Sequence, residues 1–255
     1  MKWNFSFDLQ GTKRKYEELH KVSRHAPRIQ MRKAPRKEYT VKNLDSIGKR
    51  IKFKMDPDLF EKSSGKSFVQ VLKQRRTSWI FKGEDLGAED FKEILLYSFG
   101  ISEQDERKRT YPSGGQFYSI EVYILPTRRS VNSGLLEEKV YKFNVNSNEV
   151  VEMENIDLTY IDGISASTDV GFFSLEDAQF AVVLVGNDKD LAEKYMELSY
   201  RIMLLEAGHM AQNLLLTCTY KGISSVPLGG FHENQIKKLL HLPKEKMVFY
   251  TILGG

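Results

Sequence analysis

An α+β fold with a mostly antiparallel sheet is predicted from three observations. Residues 117–125 (FYSIEVYIL), 179–186 (QFAVVLVG) and 246–253 are apolar runs of strand length, rich in β-branched and aromatic residues. Residues 140–145 (VYKFNV) alternate in polarity. They pair with the stretch near Val150 across Asn146-Ser147-Asn148, which makes an antiparallel hairpin. A long helix is predicted from about Asp190 to Tyr220, with Gly222 just past its end.

The remaining elements follow in chain order. Residues 1–66 carry weak periodicity, many charges and scattered prolines, and read as an extension with short helices. Ser63-Ser64-Gly65 is the joint to a domain spanning 67–255. Phe68, Val69, Val71 and Leu72 suggest a short helix running into Arg75-Arg76. Phe91, Ile94, Leu95 and Phe99 have helical spacing that ends at Gly100. Ser102 to Tyr111 reads as a polar, charged loop, followed by Pro112-Ser113-Gly114-Gly115. Ile236, Leu239 and Leu240 mark a last helix before the final strand.

Charge is unevenly distributed. Residues 1–54 hold 16 Lys/Arg against 5 Asp/Glu, a balance of +11, so in a chain of net charge +4 the rest sums to about −7. A basic arm of this kind suits an acidic partner such as an acidic peptide, a phosphate or nucleic acid, or else is a solvated extension. No run of about 18 uncharged apolar residues is present, so no transmembrane helix is expected. The N-terminus lacks the apolar core of a secretory signal. Cys218 is the single cysteine and lies in an apolar run, which predicts a buried core residue and excludes an internal disulfide. A cytoplasmic protein with no membrane partner is expected, and nucleic acid is not the expected partner.

Several chemistries are absent from the sequence. It holds no Walker loop and no GxGxxG after a strand. Five histidines without HxH or HExxH spacing give no zinc site. Glu206-x-x-His209 and Glu17-x-x-His20 each match half of a di-iron helix motif, but the second lies in the arm without an apolar stripe, so no metal is expected. Glu206, His209 and Asn213 place three polar groups at i, i+3 and i+7 on a helix that otherwise reads as core. Buried polar groups need partners, so this face meets a polar ligand, a second subunit or a closed hydrogen-bond network.

Three segments carry candidate binding chemistry. Arg75-Arg76-Thr77-Ser78 offers two guanidiniums and two hydroxyls, which suit phosphate oxygens. Pro112-Ser113-Gly114-Gly115-Gln116 offers close backbone approach and two polar side chains. Val226-Pro227-Leu228-Gly229-Gly230-Phe231 is a second close-approach loop.

Together the strings RTYPSGGQFYSIEVYIL (109–125), YRIMLLEAGHMAQNLLL (200–216) and KGISSVPLGGF (221–231) resemble the nitroreductase superfamily. The resemblance is nearest to its SagB-type and microcin-type branch, FMN-dependent azoline dehydrogenases of thiazole/oxazole-modified peptide pathways, and spans about residues 67–253. It implies an obligate homodimer with FMN at the subunit interface. It assigns Arg75, Arg76 and Thr77 to the FMN phosphate and ribityl chain. Pro112, Ser113, Gly114 and Gln116 would cover the flavin from the partner subunit, and Pro227, Leu228, Gly229 and Gly230 would lie beside the isoalloxazine. The chain departs from the family pattern at Trp79, where a second basic residue is usual, and at Gly254-Gly255, where many members place Lys or Arg on the phosphate.

Lys194-Tyr195 matches a Lys-Tyr pair that the microcin-type enzymes use in proton abstraction, and the resemblance implies a catalytic role for both. Aromatising a thiazoline or oxazoline removes two electrons and two protons, so a base is needed beside a hydride acceptor. On residue type alone Lys194 is a solvated lysine among Asp188, Asp190 and Glu193. The resemblance implies as partners a precursor peptide bearing azolines and a cyclodehydratase. Two other readings stand beside this one: a flavin-dependent reductase of dehydroamino acids, and a non-catalytic scaffold that docks a leader peptide through the basic arm.

Overall fold

The structure, a computed structural model, describes residues 48–53, 65–81, 83–102, 105–165 and 177–255. Glu17, His20 and most of the predicted basic extension lie outside the described residues. Seven strands form one sheet in the order β1-β6-β5-β4-β7-β9-β8. They span Arg50–Lys52 (β1), Ile120–Pro126 (β4), Lys139–Asn144 (β5), Glu149–Asn155 (β6), Phe180–Gly186 (β7), Ser225–Leu228 (β8) and Met247–Gly254 (β9). Every pairing among them is antiparallel. The predicted hairpin forms, with Phe143 opposite Val150.

The alternation of β4, β7 and β9 sends side chains to two cores. Ile120, Val122, Ile124, Val182, Leu184 and Ile252 face one core, which is closed by helices α2 (Ala88–Phe99) and α5 (Leu198–Lys221). Tyr123, Leu125, Val183, Val185 and Leu253 face the other, closed by α6 (Glu233–Leu239). Cys218 is buried in the first core. α2 ends at Gly100, as its sequence predicts. α5 ends at Gly222, which takes the left-handed conformation (φ 78°) that favours glycine at this position. α1 (Phe68–Gln74) starts with a Ser67/Gln70 capping box and is tied to the end of α5 by Lys66, whose ammonium donates to the Thr219 carbonyl at 2.8 Å.

Four local features differ from the sequence reading. The predicted helix from Asp190 is two helices, α4 (Lys189–Tyr195) and α5, because Met196 adopts φ 48° and stops the first. The predicted loop 102–111 contains a two-stranded hairpin, β2 (Ile101–Ser102) with β3 (Asp105–Arg109). Residues 117–119 belong to a turn rather than to β4. Residues 50–53, placed by sequence in the extension, join the sheet: Ile51 lies opposite Val150, and the Phe53 amide donates to the Asn148 carbonyl at 2.7 Å. No helix among the described residues is long and apolar enough to cross a membrane.

Candidate active site

The Pro112–Gln116 segment opens a turn that runs to β4 through the 3₁₀ helix Gly114–Gln116. Gly115, Gln116 and Tyr118 all have positive φ (65°, 60° and 48°). For the two residues that carry a Cβ this costs about 1–3 kcal/mol each, so neighbouring contacts must hold the turn. Glu206 supplies two of them. It is 1% exposed. It accepts from the Ser113 hydroxyl at 2.5 Å and from the Ile120 amide at 3.2 Å. The Ser113 oxygen in turn accepts from the Tyr118 amide at 2.9 Å. The Arg109 guanidinium lies 4.7 Å over the Tyr118 ring, and Tyr111 meets the same ring edge-on. Burial pushes the Glu206 carboxyl up to about 7, against the lowering pull of the Ser113 hydroxyl and the Ile120 and Ser119 amides.

Glu206 and Asn213 therefore close on the protein itself. Asn213 donates to the Thr110 carbonyl at 3.1 Å, whereas His209 is exposed. Of the three partners the sequence leaves open for this face, the hydrogen-bond network is realised for Glu206 and Asn213.

The break at Met196 turns the end of α4 onto the same turn. A Cβ at Gly115 would stand 2.7 Å from the Tyr195 hydroxyl, and one at Gly114 would stand 2.5 Å from Ile202 of α5. Both glycines are thus needed for close approach. The Tyr195 and Phe117 rings meet edge-to-face at 6.0 Å. The Lys194 ammonium lies 5.1 Å and 5.4 Å from the centroids of these rings. Among the described residues no carboxylate pairs with Lys194, although Asp188, Asp190 and Glu193 are close in sequence. Lys194 and Tyr195 therefore share one locus with Pro112, Ser113, Gly114 and Gln116.

A second locus holds the other predicted residues. The Ser78 amide donates to the Ser225 carbonyl at 3.1 Å. This bond sets Arg75, Arg76 and Thr77 beside the start of β8, whose Pro227 and Leu228 lead to Gly229 and Gly230. Arg76 and Thr77 are exposed, and Arg75 is half-buried. Arg76 donates to the Arg75 carbonyl at 2.7 Å. Among the described residues the Arg75 guanidinium has no hydrogen-bond partner. A Cβ at Gly229 would meet nothing within 4 Å, which leaves open space over that backbone.

The two loci are separated within one chain. Ile202, against the first, and Thr219, which Lys66 ties to the start of α1, are about 25 Å apart along α5. Between β4 and β8 stand β7 and β9, or about 14 Å across the sheet. A cleft lined by Phe81, Asp85, Arg129 and Asp177 lies at the far end of β4. There Arg129 is already bound to Asp85 and to the carbonyls of Phe81, Gly83 and Asp177. Glu206 is the residue of the first locus that residue type alone does not assign to it. Its signal was a carboxylate on the core face of an apolar helix.

Comparison with known proteins agrees with this architecture. MJ1384 of Methanocaldococcus jannaschii, provisionally named a nitroreductase, is 26% identical over 183 residues, covering 71% of this chain and 88% of that protein. The microcin B17-processing protein McbC of Escherichia coli is 24% identical over 159 residues, covering 62% of this chain and 57% of McbC. Among solved structures, a protein of Ralstonia eutropha JMP134, also provisionally named a nitroreductase, shares the fold with a TM-score of 0.65 at 20% identity, over 81% of this chain and 88% of that one. A chain of the E. coli microcin synthetase McbBCD complex does so with a TM-score of 0.62 at 21% identity, over 71% and 68%. The Nitroreductase family model matches residues 72–255, most of the chain and both loci. The chain belongs to the nitroreductase family.

Proposed function

We propose that this protein is an FMN-dependent dehydrogenase that oxidises peptide thiazolines or oxazolines to the aromatic azoles, working as a homodimer beside a cyclodehydratase. The observation that carries the reading is the placement of Lys194. It lies over the Phe117 and Tyr195 rings, at the edge of the glycine turn, and among the described residues it pairs with none of its acidic neighbours. The similarity to McbC supports the choice of substrate class.

The residues at the second locus fit the cofactor. The Arg75 and Arg76 guanidiniums match phosphate oxygens bidentately, Thr77 offers a hydroxyl, and the open backbone at Gly229 and Gly230 admits a flat ring. FMN, when bound, supplies the two-electron acceptor, with dioxygen as terminal oxidant. The protein's own part is to hold the azoline and move a proton. The free amine of Lys194 takes the proton from the ring carbon next to the one that loses hydride. Tyr195 and Phe117 form the wall against which the planar product ring lies.

The separation of the two loci supports a shared site. One end of the chain exposes Met196, Tyr200, Leu204 and Leu205, and the other exposes Phe68, Val69, Leu72, Trp79 and Ile80. A two-fold pairing that lays one patch on the other buries both apolar surfaces. It also brings the glycine turn of one copy to the arginines of its partner.

The test is purification with excess FMN, followed by sedimentation and by assay with an azoline-bearing peptide under air. A yellow dimer that forms azole is expected. A colourless monomer after FMN addition overturns the reading. So does a flavoprotein that NADPH reduces quickly but that leaves azoline unchanged.

A further inference from the structure

We infer that Glu206 is the positioning residue of the Lys194–Tyr195 pair, acting on it through the 113–120 turn. The inference rests on the proposed roles of Lys194 and Tyr195, but its geometry does not.

Glu206 holds both ends of the turn at once. One carboxylate oxygen takes the Ser113 hydroxyl and the other takes the Ile120 amide. Ser113 extends the grip to the Tyr118 amide. Between these anchors lie Gly115 and Phe117, the residues on which Tyr195 and Lys194 rest. The positive φ of Gln116 and Tyr118 means that the turn does not hold this shape by backbone preference. A carboxyl group is the one that fits the task, because its two oxygens accept from two directions at once. A leucine of similar volume fills the space and accepts nothing. A glutamine keeps one acceptor oxygen for the Ile120 amide, while its NH₂ can only donate to Ser113.

Three readouts on the full chain test this without flavin or substrate. The first is amide exchange at Tyr118 and Ile120. The second is the NMR signal of ¹³C-methylated Lys194, assigned with Lys194→Arg and displaced by the two nearby rings. The third is amide exchange in β7 and β9, which reports on the sheet. In Glu206→Leu the turn amides are expected to exchange at least tenfold faster. The Lys194 signal should move to the position of an exposed lysine while β7 and β9 keep wild-type exchange, and Glu206→Gln should fall between. A Lys194 signal unmoved in Glu206→Leu overturns the inference. So does a loss of protection equal in the turn and the sheet, which marks a merely structural role. If Glu206→Leu does not fold, Ser113→Ala removes the hydroxyl link alone and must give the same two changes in the turn and at Lys194; an unmoved Lys194 signal there overturns the inference equally. A wild-type protein that shows these signals but oxidises no azoline sinks the proposed activity and leaves the Glu206 role standing.

Discussion

At the first locus the polar groups close on one another, whereas at the second they open to solvent. Glu206, Ser113 and the Tyr118 and Ile120 amides form a part-buried set whose members are satisfied within one chain. Arg76 and Thr77 face outward, and Arg75 has no hydrogen-bond partner among the described residues. The first region is built before anything binds. The second offers cationic donors to an anion that the described residues do not supply. In the proposed function the closed region belongs to the proton-transfer step and the open region to the cofactor phosphate, so damage to each should have its own signature.

The sharpest separation comes from Lys194→Ala. It should lower azoline oxidation by about 10²–10⁴-fold, the worth of a positioned general base, with flavin content and sedimentation unchanged. A wild-type oxidation rate would return Lys194 to the role of a solvated helix lysine.

Titration of Glu206 separates the regions next. Its folded value of about 7 stands above the ordinary 4.5, so the folded chain holds the proton more tightly than the unfolded chain. The stability it contributes is fully present below about pH 4.5 and is lost as pH rises through about 7, by on the order of 3 kcal/mol. Urea midpoints for wild type and Glu206→Gln across that window should diverge, with the mutant's profile flatter. Parallel profiles would mean the carboxylate is not held in a dry site.

The open region is probed by Arg75→Ala, which should weaken FMN binding about tenfold to a hundredfold. That is the loss of one charge-assisted pair, worth about 1.5–3 kcal/mol, and flavin retention after dialysis measures it. The rate of the loaded enzyme should be little changed. A variant that keeps its flavin but turns over slowly would reverse the assignment of the two regions.

The smallest effect is on the turn backbone. Gly115→Ala places a methyl at φ 65° and 2.7 Å from the Tyr195 hydroxyl. A cost of about 1–2 kcal/mol is expected, seen as a fall of roughly 2–8 °C in Tm. No change in Tm would show that Tyr195 moves aside freely.

The architecture was largely legible in the sequence because its signals are local. The apolar runs of β7 and β9, the Asn146-Ser147-Asn148 hairpin, and the stops at Gly100 and Gly222 each follow from a few adjacent residues. What stayed hidden depends on contacts far apart in the chain. Nothing in KYMELSY marks Met196 as left-handed. Its conformation goes with the packing of Tyr195 on Gly115, 80 positions earlier. DERKR reads as solvated loop until β2 pairs with it. The predicted site residues fell into two groups that one chain holds apart, and residue order carries no sign of that separation. Glu206 was visible as a polar residue on a core face, yet its partners Ser113 and Ile120 lie some 90 positions away.

The short strand β1 has a bearing on how the chain can be handled. It is three residues long and carries Arg50 and Lys52, and it covers the outer edge of β6 at Val150 and Val151. An uncovered β6 would offer its ladder of amides and carbonyls, beside two valines, to any passing strand. Two cations on a stub of strand make a poor template for further pairing. A fragment trimmed at residue 67 would keep both loci and the whole of the family match, yet would lose this guard. Its first failing would then be stickiness rather than loss of chemistry.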